Sequence, residues 1–413
     1  MHPVTPLAMD FDLPPGSALI GTTWTVGELQ TRLSPWRDCG CSLDLLVVLA
    51  ATRTAEVEGI SAAGATPESR RYTAIADAEL LLRGPAHPPQ WPLPPLPAGV
   101  SPALISWVSL QHLGVQPTVM ALGLPQSPPF PHLRVESPAQ GPAACLSSGQ
   151  AMALSRVRCL WQRGEQLGAA LTRPLVLAEC VPGGTTTAQA VLQGLGIPVQ
   201  DLVSGSALQP PLALKQRLVA QGLAAADLED PVDAQALVAA VGDPFQALAA
   251  GVLLGAMRSR QPVLLAGGSQ MLAVMALALE CCGPVERLQL APLLTLGTTA
   301  WLADERLGPS PGLRPALPQV LERLQSRYGV SLLALASGLR FQASRHPQLQ
   351  AYEQGHVKEG VGAGGLALLA QLRGTTRTAL VNSCDQAMDA LLLQGEETRD
   401  CGPAADGSLG SEL

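Results

Sequence analysis

Only two lysines serve this chain of 413 residues, and its positive charge rests on twenty-four arginines. A Walker phosphate loop ends in Gly-Lys-Ser/Thr, so it could sit only at Lys215 or Lys358; Gln216 and Glu359 follow them, which excludes it. Charge of either sign is scarce, at 14% of residues, and a net charge of -7 argues against a nucleic-acid groove, which needs a basic footprint. Long hydrophobic runs are missing: stretches such as 247–257 and 271–279 stop short of the ~18 residues that a membrane-spanning helix needs, so no membrane partner is expected. Residues 1–16 carry Asp10, Asp12 and four prolines in place of the basic start and apolar core of a secretory signal, which predicts a cytoplasmic protein. The nine cysteines lack the spacing of a zinc site or a redox Cys-x-x-Cys and read as small buried thiols. His87, His112, His132, His346 and His356 show no paired ligand spacing, so no metal is expected, and no Gly-x-Ser-x-Gly elbow offers a nucleophile.

What the chain has is apolar mass, 47% of residues, enough for a large core. Short, almost continuously apolar runs at 43–50, 117–122, 174–179, 262–266, 290–296, 331–336 and 378–382 match strands covered on both faces of a parallel sheet. Segments rich in Ala, Leu and Gln between them, such as 188–194, 232–242, 245–258 and 317–327, favour helix. The fold class is therefore α/β, a mostly parallel open sheet with helices on both faces. The proline-dense stretches 84–99 and 124–142 read as surface connections, residues 1–30 as an N-terminal arm, and residues 395–413 as a flexible, dispensable tail outside a domain spanning 31–394.

Ligands of such sheets sit beyond the carboxyl ends of the strands, which directs attention to four loops at 58–67, 179–187, 266–270 and 358–365. Gly183-Gly184-Thr185-Thr186-Thr187 follows an apolar run and opens a helix, offering backbone N–H groups and three hydroxyls at the positive end of a helix dipole. One threonine would satisfy a cap; three after Gly-Gly point to a phosphate or sugar phosphate. Residues 360–365 formally match G-x-G-x-x-G, but the residues before them, from Tyr352 to Glu359, are not an apolar strand, so the NAD fingerprint lacks its context. Gly360 and Gly362 instead allow a ligand to approach the backbone beside Glu359. Glu359 reads as a general base made more basic by partial exclusion from water, or as a cap or ion-pair partner of Lys358 or an arginine. Lys215 reads as a phosphate contact or as one more charge on a solvated helix face near Arg217.

Together the loops resemble the nicotinate-nucleotide:dimethylbenzimidazole phosphoribosyltransferase family, most closely a divergent branch of it. The resemblance rests on Glu179-Cys-Val-Pro-Gly-Gly-Thr-Thr-Thr187, on the stretch from Tyr352 to Gly365 with Val357-Lys-Glu-Gly-Val-Gly-Ala-Gly-Gly365, and on Glu58-Gly-Ile-Ser-Ala-Ala-Gly64. It implies an open α/β sheet with a smaller second lobe, assembled as a homodimer, and a reaction that needs no cofactor. Phosphoribose would pass from nicotinate mononucleotide to an aromatic nitrogen base such as dimethylbenzimidazole, giving an α-ribazole phosphate for the lower ligand of cobamides.

By the same resemblance Glu359 takes the proton from the base; Glu179, Gly183, Gly184, Thr185, Thr186 and Thr187 hold the ribose phosphate with help from Lys215; and Ser61 lies in the base pocket. The family's Asp-Gly-Phe is here Ala266-Gly267-Gly268 and its Asp-His-Gly is Thr52-Arg53-Thr54, so the acceptor pocket is expected to differ. Those missing groups keep a non-catalytic nucleotide-binding protein open as an alternative, beside an unrelated NAD-binding enzyme.

Overall fold

The computed structural model describes residues 13–38, 42–94, 96, 98–308 and 312–400. Eight strands, β1 (Ala18–Leu19), β2 (Asp44–Ala50), β3 (Thr118–Leu122), β4 (Leu133–Arg134), β5 (Leu175–Cys180), β6 (Val263–Ala266), β7 (Leu294–Thr298) and β8 (Leu333–Ala336), form one sheet in the order β1-β8-β7-β6-β5-β2-β3-β4. Every neighbouring pair is parallel except β1 against β8. The longer helices are α1 (Val26–Arg37), α2 (Thr73–Arg83), α3 (Ala103–Leu113), α4 (Leu154–Ala169), α5 (Gly184–Gly194) and α6 (Leu212–Ala225). They continue with α7 (Ala234–Val241), α8 (Pro244–Ser259), α9 (Ser269–Glu280), α10 (Ala316–Tyr328), α11 (Ala363–Leu372) and α12 (Arg377–Asp400).

The pleat sends alternate side chains to two cores. Leu45, Val47 and Leu49 of β2 pack with α1, α2, α3, α11 and α12, whereas Leu46, Val48 and Ala50 pack with the layer built from α4 to α10. This two-sided burial is why the strands read as unbroken apolar runs. The chain order reverses between β2 and β5: β2 leads outward to β3 and β4, and β5 returns on the other side toward β6, β7 and β8. The helices that follow β2 and β5, α2 and α5, consequently lie on opposite faces, and a crevice opens between their loops.

Five of the sequence expectations change in whole or in part. Residues 378–382 are helical: Leu380, Val381, Cys384, Ala387 and Met388 are buried at helical spacing on α12, and a five-residue apolar run does not distinguish the two periods. The run 290–296 begins with the end of a short helix and a 3-10 turn containing Pro292, so β7 starts only at Leu294. The proline-dense stretch 124–142 contains the edge strand β4, paired through Met120 and Leu133. Residues 395–400 belong to α12 and not to a flexible tail; the rest of the expected tail, residues 401–413, lies outside those described. Of the cysteines described, Cys180, Cys282 and Cys384 are buried, Cys145 is half-buried, and Cys159 and Cys281 are exposed, so the reading of buried thiols holds for part of the set.

Close backbone packing fixes the second layer. Gly164 and Gly168 of α4 face Gly251 and Gly255 of α8, and a Cβ at Gly251 would strike the carbonyl oxygen of Trp161. Gly251→Ala is expected to lower stability in urea unfolding by ~1–3 kcal/mol through overpacking. Gly27→Ala in α1, where the space is open, should be neutral or stabilising by up to ~1 kcal/mol.

Candidate active site

A cavity of about 1110 Å³ occupies the crevice at the reversal point. The strand ends and loops that frame it bring together Glu179, Gly183, Gly184, Thr185, Ser61, Glu359 and Gly360. The two long glycine-bearing loops touch directly, since the N–H of Val361 donates to the carbonyl of Glu179 at 3.1 Å.

Glu359 sits at the end of a tightly specified turn. Oε2 accepts from the Thr299 N–H at 2.8 Å and the Thr298 hydroxyl at 3.0 Å, at the tip of β7; Oε1 accepts from the N–H groups of Gly360 at 3.0 Å and Gly364 at 3.2 Å. The carboxylate thus caps the first turn of α11, as the cap reading expected, and it also fronts the cavity. Its backbone is strained: Val357, Lys358 and Val361 have φ of 62°, 67° and 52°, in the left-handed region that β-branched residues rarely enter. Such strain persists only where surrounding contacts over-determine it. A Cβ at Gly364 would collide with Thr298 and Thr299, so the glycine lets the turn lie against β7. Gly362 is spent on packing too, because a Cβ there would come within 2.8 Å of Ala178, and it does not line the cavity.

Three carboxylates face the cavity: Asp77, Glu179 and Glu359. Burial pushes Glu179 up to about 8, reinforced by the charges of Asp243 and Glu359 and opposed by the Val181 N–H. Burial raises Asp77 to about 6 against the donors Ser101 and Cys180. Glu359 is raised by burial against its four hydrogen bonds. This environment keeps part of the set protonated near neutrality, and an arriving cation would favour ionisation.

The three threonines diverge because successive helical residues turn by about 100°. Thr185 fronts the cavity, Thr187 donates to Asp243 at 2.5 Å, and the Thr186 hydroxyl is buried without a partner among the described residues. Asp243 also accepts from Gln270 at 2.8 Å, and Gln270 lines the cavity. Asp243 was not legible as a site residue; a lone Asp before Pro244 reads only as the N-cap that it is.

Lys215 corrects both sequence readings. It is fully buried, does not line the cavity, and spends its three donors on the carbonyls of Val203 (2.7 Å) and Ser204 (2.6 Å) and on the Thr185 hydroxyl (3.4 Å). Burial lowers it to about 7, with Glu305 opposing and Lys358 adding. Lys358 grips the same loop from the other side, donating to Gly205 and Ala207 carbonyls at 3.0 and 2.9 Å and pairing with Glu305 at 2.6 Å. The two lysines of the sequence thus hold one loop, 203–208, over the cavity, and only their rarity hinted at it.

Ser61 lines the cavity and its hydroxyl accepts from the Ala63 N–H at 3.1 Å. Gly268 lines it as well. The segment Thr52-Arg53-Thr54 does not: Thr54 accepts from the Leu146 N–H at 3.1 Å, and Ala55 packs under Gly183, leaving no room for a Cβ there.

A phosphoribosyltransferase family model matches residues 105–298. The chain is 60% identical over 92% of its length to 95% of a UPF0284 protein of Parasynechococcus marenigrum (strain WH8102). It is also 43% identical over 86% of its length to 92% of one from Gloeothece citriformis (strain PCC 7424). The chain belongs to the UPF0284 family. Within it, residues 105–298 match the phosphoribosyltransferase domain, and the resemblance read from the loops holds at that level. The crystal structure of CobT from Thermus thermophilus superposes with a TM-score of 0.56 at 20% identity, covering 86% of this chain and 89% of that one. A nicotinate-nucleotide-dimethylbenzimidazole phosphoribosyltransferase structure from the same organism gives 0.53 at 19%, covering 84% and 83%. These likenesses establish the α/β fold. Among the described residues no helix is long and apolar enough to cross a membrane.

The raised carboxylates make stability depend on pH. The folded chain retains a proton on Glu179 that the unfolded chain releases near the ordinary value of 4.5, so stability should fall as pH rises from 4.5 through about 8. Asp77 contributes with the same sign at the lower end of that range. Glu179→Gln should flatten the decline in urea midpoints; an unchanged slope would contradict the assignment.

Proposed function

We propose that the chain transfers phosphoribose from nicotinate mononucleotide to an aromatic nitrogen base, with Glu359 as the proton acceptor. The observation that supports this most is that Glu359 and the Gly183–Thr185 turn front the same cavity, with Glu179 beside both. The donor's phosphate lies at the amino end of α5, where backbone N–H groups and the helix dipole meet an anion without a side-chain cation. Lys215 and Lys358 act at one remove, by fixing the 203–208 loop.

The donor carries a cationic pyridinium, so no acid is needed to expel it. A ring nitrogen of the acceptor bonds to C1′ of the ribose from the face opposite the leaving group while the bond from C1′ to the pyridinium breaks. Its electron pair leaves with nicotinate, whose ring nitrogen becomes neutral, and the proton of the acceptor N–H ends on Glu359. The sugar carbon is inverted and the product is an α-ribazole phosphate. Positive charge that builds on the sugar is met by Glu179, whose ionised form that charge favours.

The test is mass spectrometry of products after incubating the chain with nicotinate mononucleotide and a panel of benzimidazoles and purines. Nicotinate and a ribazole phosphate should form, and Glu359→Gln should lower the rate ~10²–10⁴-fold while the donor still binds. Near-wild-type turnover in that variant would remove the role of Glu359. Donor binding without nicotinate release would favour a binding protein, and NAD binding without response to the donor would favour the unrelated enzyme.

A further inference from the structure

Asp243 ties together the amino ends of three helices. It is the N-cap of α8, where Oδ1 accepts from the Gln246 N–H at 3.1 Å. Oδ2 accepts from Thr187 in the first turn of α5 at 2.5 Å and from Gln270 Nε2 in the first turn of α9 at 2.8 Å. Asp243 and Gln246 are fully buried, and Gln270 is 3% exposed.

This junction decides which way the Gln270 amide points. The backbone N–H of Asp243 donates to Gln246 Oε1 at 3.1 Å; a backbone N–H only donates, so the Gln246 side chain turns its Nε2 to Gln270. Gln270 Oε1 accepts from it at 2.7 Å, which leaves Gln270 Nε2 toward the Asp243 carboxylate. An amide nitrogen carries two N–H groups, and among the described residues Gln270 spends one of them, on Asp243. The same nitrogen lies against the first residue of α5, since a Cβ at Gly184 would come within 2.5 Å of it. Gln270 lines the cavity, as do Gly183, Gly184 and Thr185, and the backbone N–H groups of Gly183 and Thr185 are also without a partner among the described residues. A buried donor without an acceptor costs free energy, so this corner suits a ligand oxygen.

We infer that Gln270 binds the phosphate of a sugar-phosphate ligand and selects it over the unphosphorylated sugar, with Asp243 and Gln246 as positioning residues that hold its amide in place. This rests on the proposed function for the seat of the phosphate at the amino end of α5. It gives the loop at 266–270, which the proposed reaction leaves without a task, the reading of that phosphate.

The experiment measures dissociation constants of the full chain by calorimetry for nicotinate mononucleotide, the riboside that lacks its phosphate, and ribose 5-phosphate. Gln270→Met keeps the side-chain length and loses the N–H; it should weaken both phosphorylated ligands ~10–100-fold and leave the riboside within about twofold. Gln246→Met, at a residue that does not line the cavity, should lower the same preference severalfold; an unchanged preference there removes its positioning role. Equal weakening of mononucleotide and riboside by Gln270→Met, or none, in a protein with wild-type circular dichroism overturns the inference. Where that variant does not fold, Gln270→Glu, of the same shape, replaces it. Its carboxylate opposes the phosphate and should abolish the preference, and a preference that survives overturns the inference. Ribose 5-phosphate binding that depends on Gln270, in a chain that transfers nothing from nicotinate mononucleotide, supports the inference and rejects the transferase reading, so the two failures are distinguishable.

Discussion

A carboxylate held by four hydrogen-bond donors at the tip of a sheet is the constraint on which the site depends. Three of the donors that hold Glu359 are backbone N–H groups and the fourth is the Thr298 hydroxyl, so the carboxylate is fixed by the fold itself. The glycines at 360 to 365 serve this placement. They let a turn with three left-handed non-glycine residues lie against β7, and they leave Oε1 and Oε2 oriented before any ligand arrives. Burial then opposes the charge that the hydrogen bonds favour, and a group balanced between the two is suited to taking up a proton.

Around this group the chain economises on positive charge. Among the described residues Lys358 is the lysine or arginine that lines the cavity, and it is committed to Glu305 and two carbonyls; Lys215 is committed behind the same loop. An anion in this cavity meets helix amino ends and loop amides, and the neighbouring carboxylates suit a ligand with positive charge elsewhere. Nicotinate mononucleotide has both, a phosphate and a pyridinium.

The layered fold was readable from the apolar runs because burial on both faces removes the alternation that other sheets show. The edges were not: β1 and β4 are two residues each, too short to leave a pattern. Nor was the last helix, whose opening residues are apolar enough to pass for a strand. Within the site, Glu359, Glu179 and the Gly183–Thr185 turn were legible because their chemistry is local, a carboxylate or hydroxyl set among glycines. Asp77, Asp243 and Thr298 were hidden, since each matters through partners remote in the chain, as Thr298 does for a glutamate 61 residues further on. Lys215 shows the converse, a residue conspicuous by its rarity whose contacts only the packed loop could reveal.

The measurement that bears most directly on this account is a crystal structure of the chain with nicotinate mononucleotide bound. The account requires the phosphate within hydrogen-bond reach of the Gly183–Thr185 turn and the ribose C1′ open toward Glu359 across the cavity. A nucleotide seated elsewhere, or a phosphate drawn to surface arginines with the cavity empty, would contradict it.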